Sequence, residues 1–323
     1  MNGGLARTPR GKGLGVMAER YIGVDVGGTK ISVAVLQDGQ LSAPVLTPTD
    51  TSSSAALVDQ IHGVVRDALE AGDGPAAVGV GVPGVVNFLE GRIRWAPNIP
   101  ADDVPLRDEL AERCGVQVVV DNDATVAALA EACDDAGEVI HPSLAMLTLG
   151  TGVGGGGVPE GRIFRGSTGA ATELGHLLIG LDLDLGVPDV SAHFPQPGSL
   201  EREAAGRVLD RLGEARGYAD GPAVVEAAGR GEAGARDAIR LLGERLGIGI
   251  SCVLHAYEPE VVCIGGGVSA AGELLMAPAR RVAREWTLPG VGERAEIRLA
   301  RWGPGAGVRG AALLAKQEIG ALA

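Results

Sequence analysis

The chain of 323 residues carries 41 Asp and Glu against 28 Lys and Arg, a formal charge of 28 − 41 = −13. Beyond residue 20 no stretch concentrates basic side chains, which argues against a nucleic-acid partner. Hydrophobic residues make up 46% and aromatic residues 3%, enough for a large aliphatic core and, at this length, about two domains; intrinsic disorder is excluded. No uninterrupted apolar run reaches the ~18 residues that span a bilayer, so a soluble protein without membrane contacts is expected.

In chain order, residues 21–26 read as a buried strand, 27–30 as a tight turn and 31–36 as a second strand. Asp38-Gly39 turns the chain into a third strand over 41–46. The spacing of Leu57, Ile61, Val64, Val65, Ala68 and Leu69 predicts a helix over 53–71, with Ser52 or Ser53 as its N-cap. A strand over 76–82, a short helix over 104–113, a strand over 116–120 and a helix beginning near Asp123 follow. A similar order then restarts: a strand over 144–149, a turn across 150–157, and extended pieces leading to His176 and Ile179. Helices over 233–257, 271–286 and 306–319 alternate with strands over 261–264 and 295–300. Two α/β halves, each opening with strand, Gly-Thr turn and strand, predict two related domains facing a cleft. They are placed at 21–122 and 123–305, with the C-terminal helix, about 306–321, returning to the first.

Residues 1–20 hold Arg7, Arg10, Lys12 and Arg20 but no apolar signal core, so they are expected to be a disordered extension, with Met17 as a candidate start. Cys114, Cys133, Cys252 and Cys263 lack CxxC spacing and fit free thiols in a reducing cytoplasm.

Glycine is the outlying number: 52 of 323 is about 16%, against an ordinary ~7%. Such a content implies tight turns and places where backbone must approach something closely, as in phosphate-binding loops. Asp25-Val-Gly-Gly-Thr-Lys30 follows a buried strand with a turn of unobstructed N–H groups, and Gly150-Thr-Gly-Val-Gly-Gly-Gly156 repeats the pattern. Each alone is also compatible with an ordinary hairpin, and neither matches a P-loop or a Rossmann fingerprint. Asp121-Asn-Asp-Ala124 reads as a helix cap that can also carry chemistry, and Glu173-Leu-Gly-His176 adds hydroxyl-binding groups on a short loop.

The order of these segments, with Val82-Pro-Gly84, Trp95-Ala-Pro-Asn98 and Gly265-Gly-Gly267, strongly resembles the ROK family (repressors, open reading frames, kinases) from about residue 21 onward. The resemblance implies an α/β, two-domain actin-like ATPase (ribonuclease H-like) fold closing over a sugar and ATP. It implies an ATP-dependent hexose kinase, glucokinase first, with Asp123 as general base for transfer to the C6 hydroxyl. Asp25, Gly27, Gly28, Thr29 and Lys30 match the first phosphate loop. Gly150, Thr151, Gly152 and Gly154 match the second, and Gly265, Gly266 and Gly267 match the turn bordering the adenosine. Asn98, Asn122, Asp123, Glu173, His176 and Glu201 match the positions that hold sugar hydroxyls. Mg²⁺ is implied beside ATP, held by phosphates, water and Asp25, and a homo-oligomer of two or four copies is expected.

Other sugars of the family (N-acetylmannosamine, N-acetylglucosamine, fructose, allose) and polyphosphate as donor are alternatives. A non-catalytic sugar sensor is the alternative from another class. The 24 residues before Asp25 are too few for the winged helix of the family's repressors. The family's zinc signature, C-x-C-G-x-x-G-C-x-E, aligns with residues 192–201, where Ala192, Phe194 and Ser199 stand at the cysteine positions, so no structural zinc is expected. Without it, Phe194 and Pro188, Pro195 and Pro197 are expected to order residues 181–198.

Overall fold

The computed structural model describes residues 20–320, so the expected extension, apart from Arg20, and the candidate start at Met17 lie outside the described residues. Strands β1 (Arg20–Val26) and β2 (Lys30–Gln37) are buried along most of their length and pair antiparallel across the first glycine turn. The third strand expected over 41–46 is instead two short pieces, β3 (Gln40–Leu41) and β4 (Val45–Pro48), both paired with β2. Pro44 lies between them, and without an N–H it cannot continue the ladder. Helix α1 (Ser54–Glu70) is capped by Ser53, whose hydroxyl accepts from Ala56 N at 3.1 Å.

Strand β5 (Ala76–Val82) runs parallel to β1, and a hairpin of β6 (Val85–Asn87) and β7 (Arg92–Trp95) follows it. Helix α2 (Leu106–Cys114) starts two residues later than predicted, after Pro105, and β8 (Gln117–Asn122) runs parallel to β5. The first sheet therefore has the order β3-β2-β1-β5-β8, with β4 also on β2. Ile22, Val24, Leu57, Ile61, Val80 and Leu110 are among the side chains that fill its core against α1 and α2.

Helix α3 (Asp123–Ala132) leads to β9 (Leu144–Leu149) and β10 (Val153–Val158). The turn expected across 150–157 is thus confined to 150–152, and the remaining glycines form a strand paired with β9. Packing explains this against their weak strand propensity: a Cβ at Gly156 would stand 2.6 Å from Ala128 Cβ and 3.1 Å from Thr125 Cα, both on α3. The extended pieces expected before His176 end in a single helical turn, Leu174–His176.

Three short helices come next: α4 (Leu200–Ala204), α5 (Gly206–Glu214) and α6 (Gly221–Gly229). Helix α7 (Ala233–Tyr257), strand β11 (Val261–Gly265), helix α8 (Glu273–Trp286), strand β12 (Glu296–Leu299) and helix α9 (Ala306–Ile319) complete the described chain. The second sheet has the order β10-β9-β11-β12, its core filled by Leu147, Ile239, Leu246, Ile250 and Ile264 among others.

Helix α9 crosses back to the first sheet. Gly23 of β1 and Gly79 of β5 lie flush against its backbone, where any Cβ would overlap the carbonyls of Val308 and Ala311. Its Gly310 lies as closely on α3 at Val126, and α3 in turn packs on β10, so α3 and α9 stand between the two sheets.

Candidate active site

Parallel pairing brings the chemistry-bearing residues to one edge. Register aligns Asp25 of β1 with Gly81 of β5 and Asp121 of β8, so Asp25, Asn122 and Asp123 share the carboxyl end of the first sheet. Asn122 is the cap of α3: its side-chain oxygen accepts from Thr125 N at 3.0 Å, and its amide donates to Gly84 O at 2.9 Å. Both halves of that amide are thereby committed to the backbone, and the Gly84 loop is tied to the start of α3. Asp123 follows as the first residue of α3, with Oδ1 accepting from its neighbour Ala124 N at 2.8 Å. Among the described residues Oδ2 has no hydrogen-bond partner. Burial raises the Asp123 carboxyl above the usual carboxylate range, against the Ala124 N–H, which lowers it.

Asp25 is perturbed more. Burial and then the nearby Asp123 charge push it up to about 7, with Lys30 pulling the other way. Gly307 at the start of α9 has its bare Cα against this carboxylate, leaving no space for a side chain. The first turn is stapled beneath it: Gly27 N donates to Lys30 O at 2.9 Å, and the Thr49 hydroxyl donates to Gly27 O at 2.6 Å. Among the described residues the N–H groups of Gly28 and Thr29 have no backbone partner, which is the arrangement an anion needs. Asn98 sits over this turn, and a Cβ at Gly28 would stand 3.0 Å from its carbonyl oxygen.

The second turn lies at the carboxyl end of the other sheet, where Gly265 of β11 is in register with Thr148 of β9. Gly150 N donates to Gly152 O at 2.9 Å, leaving the N–H groups of Thr151 and Gly152 without a backbone partner among the described residues. Gly266, at φ +83, packs against the Leu149 backbone, and Gly267 is open, so this turn borders residues 150–152. Gly154 lies outside that turn: it is part of β10, with its bare face on Thr148 and Ala124.

Glu173 caps the short helical turn after β10 that carries His176, and both side chains are partly exposed, with His176 Nε2 4.0 Å from Glu173 Oε2. Burial is the chief cause that raises Glu173; His176 lowers it, and Asp123 and Glu201 raise it further, which places these carboxylates in one neighbourhood. Glu201 is presented by α4, its Oε2 accepting from Val153 N at 2.8 Å. Phe194 does not order its loop by burial as expected, since it is 74% exposed and stands edge-on to His176 at 5.4 Å between ring centroids. The loop is held by backbone bonds from Ile179 N to Gly198 O, 2.7 Å, and by Gln196, which bonds both N and O of Ser191. Among the described residues no three His, Cys, Asp or Glu side chains cluster as a metal site.

Sequence reasoning did not find the support beneath the cleft. Arg165 donates to buried Asp121 at 2.7 Å and to Glu318 of α9 at 2.9 Å, with its guanidinium 3.5 Å over the Phe88 ring. Asp121 Oδ1 accepts from Asn122 N at 2.9 Å, so the loop leading to Glu173 is fastened to the strand end carrying Asn122 and Asp123. The partners lie 44 and 153 positions apart and carry no local signal.

The ROK family model matches residues 21–318. The glucokinase of Halalkalibacterium halodurans is 33% identical over 327 residues, covering 94% of this chain and 97% of that protein. The N-acetyl-D-glucosamine kinase of Escherichia coli is 33% identical over 303 residues, covering 91% and 98%. The crystal structure of a ROK family glucokinase from Streptomyces griseus, in complex with glucose and AMPPNP, superposes with a TM-score of 0.76 at 34% identity, covering 92% of this chain and 99% of that one. Fold and cleft together define a protein of the two-domain actin-like ATPase fold, the architecture of sugar kinases. Within that class, the chain belongs to the ROK family.

Proposed function

We propose that the chain is an ATP-dependent hexose kinase, first of all a glucokinase, transferring the γ-phosphoryl group of ATP to the C6 hydroxyl of glucose. The observation that carries this reading is the position of Asp123, at the carboxyl edge of one sheet, in the neighbourhood of Asp25 and Glu173. Amide, carboxylate and imidazole groups suit a ligand that offers only hydroxyls; Asn98, Glu173, His176 and Glu201 supply them, and Asn122 has one amide N–H left beyond its backbone bonds. Asp123 Oδ2 accepts the hydroxyl proton as the new O–P bond forms, while Oδ1 stays on Ala124 N and fixes the carboxylate's orientation. The raised affinity of Asp123 for a proton makes it a better base than an exposed aspartate.

The residues fit MgATP. The two turns offer free N–H groups, and Asp25, buried beside a second carboxylate, is short of positive charge. Bound MgATP supplies the phosphorus that is attacked, its ADP leaving group, and a cation beside Asp25. Asp25 would be the protein's contribution to holding Mg²⁺, with phosphate and water supplying the other ligands.

Residues 21–122 and 123–305 are taken as the two domains, with α9 assigned to the first because its glycine-flush packing is on β1 and β5. A cytoplasmic homo-oligomer remains part of the reading on the family resemblance; among the described residues, no helix is long and apolar enough to cross a membrane. N-acetylglucosamine is the second substrate to consider, since a kinase for it is as similar in sequence. A coupled ADP-release assay over a hexose panel, repeated with polyphosphate, tests the proposal: turnover with glucose and ATP is expected. Turnover with no sugar on the panel would sink it.

A further inference from the structure

The two turns differ in charge. The first ends on Lys30, whereas residues 150–153, Gly-Thr-Gly-Val, carry no cation. A donor with three phosphates brings several negative charges between them, and the surrounding side chains Asp25, Asp123, Glu173 and Glu201 are acidic. The positive charge on the second side comes from α5. Arg207, its second residue, donates Nη2 to Glu201 Oε1 at 2.7 Å, and the other oxygen of Glu201 accepts from Val153 N at 2.8 Å. A Cβ at Gly152 would stand 2.5 Å from that same oxygen, and Gly206 N donates to Gly150 O at 2.8 Å. Glu201 is thus a bracket joining the second turn to the guanidinium. Among the described residues Arg207 makes no other side-chain hydrogen bond, so four of its five N–H donors remain for a ligand, and the side chain is 40% exposed.

We propose, resting on the kinase reading, that Arg207 recognises the phosphates of the donor and that Glu201 positions it there. The guanidinium binds donor phosphate oxygens through its unused N–H groups, as Arg does wherever phosphate is held at defined geometry. Glu201 keeps lone pairs on both oxygens, so it can still accept a sugar hydroxyl while it holds the guanidinium toward the donor. Arg207 is the exposed member of its pair with Glu201, and Glu201 keeps the Val153 N–H when the guanidinium is removed, so Arg207→Ala leaves a folded protein to assay.

The experiment uses the full chain and its Arg207→Ala and Arg207→Lys variants. Binding of MgATP and of adenosine is measured by calorimetry without sugar, beside the KM values for ATP and glucose. In Arg207→Ala, the Kd and KM for MgATP are expected to rise about ten- to a hundredfold, the worth of a charge-assisted contact. Adenosine affinity and glucose KM should stay within about threefold, and Arg207→Lys should recover part of the loss because the charge remains. MgATP affinity within twofold of the parent, an equal loss for adenosine, or a loss confined to kcat overturns the proposal. A parent chain that turns over sugar while Arg207→Ala keeps its KM for ATP overturns the role of Arg207 alone. A parent that phosphorylates no sugar, yet binds MgATP more tightly than Arg207→Ala, overturns the kinase reading and sustains Arg207. Binding of MgATP to neither overturns both.

Discussion

The glycines at 27–28 and those at 154–157 are alike in sequence and serve opposite purposes. At Gly28 the missing side chain opens a turn beneath Asn98, with N–H groups left free, whereas at Gly156 it lets α3 settle on the middle of a strand. In one place glycine makes room for the Asn98 loop, over the turn proposed to take phosphate, and in the other for a helix. A glycine-rich motif therefore names close approach, and only the partner across from each Cα says what approaches.

The sharpest way to break this comparison acts on α3, which both segments flank. Asp123→Asn is expected to lower kcat by ~10²–10⁴-fold while sugar binding, by calorimetry, stays within about tenfold, since the amide still hydrogen-bonds but takes no proton. Near-normal turnover would remove the chemistry from the first segment's edge.

The next effect separates the two turns by charge, because among the described residues Glu201 at the second turn is paired with Arg207 and Asp25 at the first forms no ion pair. Asp25 holds its proton up to about 7 in the folded chain and releases it near its ordinary 3.8 when unfolded. The folded state therefore binds more protons between those values, and stability falls as pH rises from about 4 to about 7, then levels. A shift of this size corresponds to about 4 kcal/mol as an upper bound. Denaturant unfolding of the ligand-free protein across that window should show the slope, and Asp25→Asn should flatten it. An equal slope in the variant would locate the titration elsewhere.

A pair of glycine substitutions gives the direct test. Gly156→Val is expected to cost ~1–3 kcal/mol or more of stability by forcing α3 off β10, with unchanged KM values for the molecules that remain folded. Gly28→Ala should instead leave Tm nearly unchanged and raise a substrate KM about tenfold by displacing Asn98, a loss of roughly 1.4 kcal/mol in binding. Thermal melts and steady-state kinetics on both would expose a reversal at once.

What the sequence made legible follows the same division. Strands β1, β5 and β9 and helices α1, α7 and α9 are aliphatic runs or stripes whose spacing decides their structure locally. The second glycine segment was unreadable because four successive glycines have no strand preference until α3 covers them. Helices α4 and α5 are short and divided at Ala205, with too few turns to show a period. At the site, motif order brought out the residues on turns and caps. Arg165, Arg207 and Gly307 escaped it because each is defined by a partner distant in sequence or by an ordinary surface pair.

The return of α9 to the first sheet has a consequence for synthesis. β8 ends at Asn122 and α9 at Ile319, so 319 − 122 = 197 residues must be added before the helix that covers Gly23 and Gly79 exists. At ~5–20 residues per second the ribosome takes roughly 10–40 s over that stretch. Throughout it the nascent first sheet has one bare apolar face, held without its own helix. The N-terminal half is thus completed last, and a chain stalled or cut anywhere before α9 presents that face to chaperones and proteases rather than to a substrate.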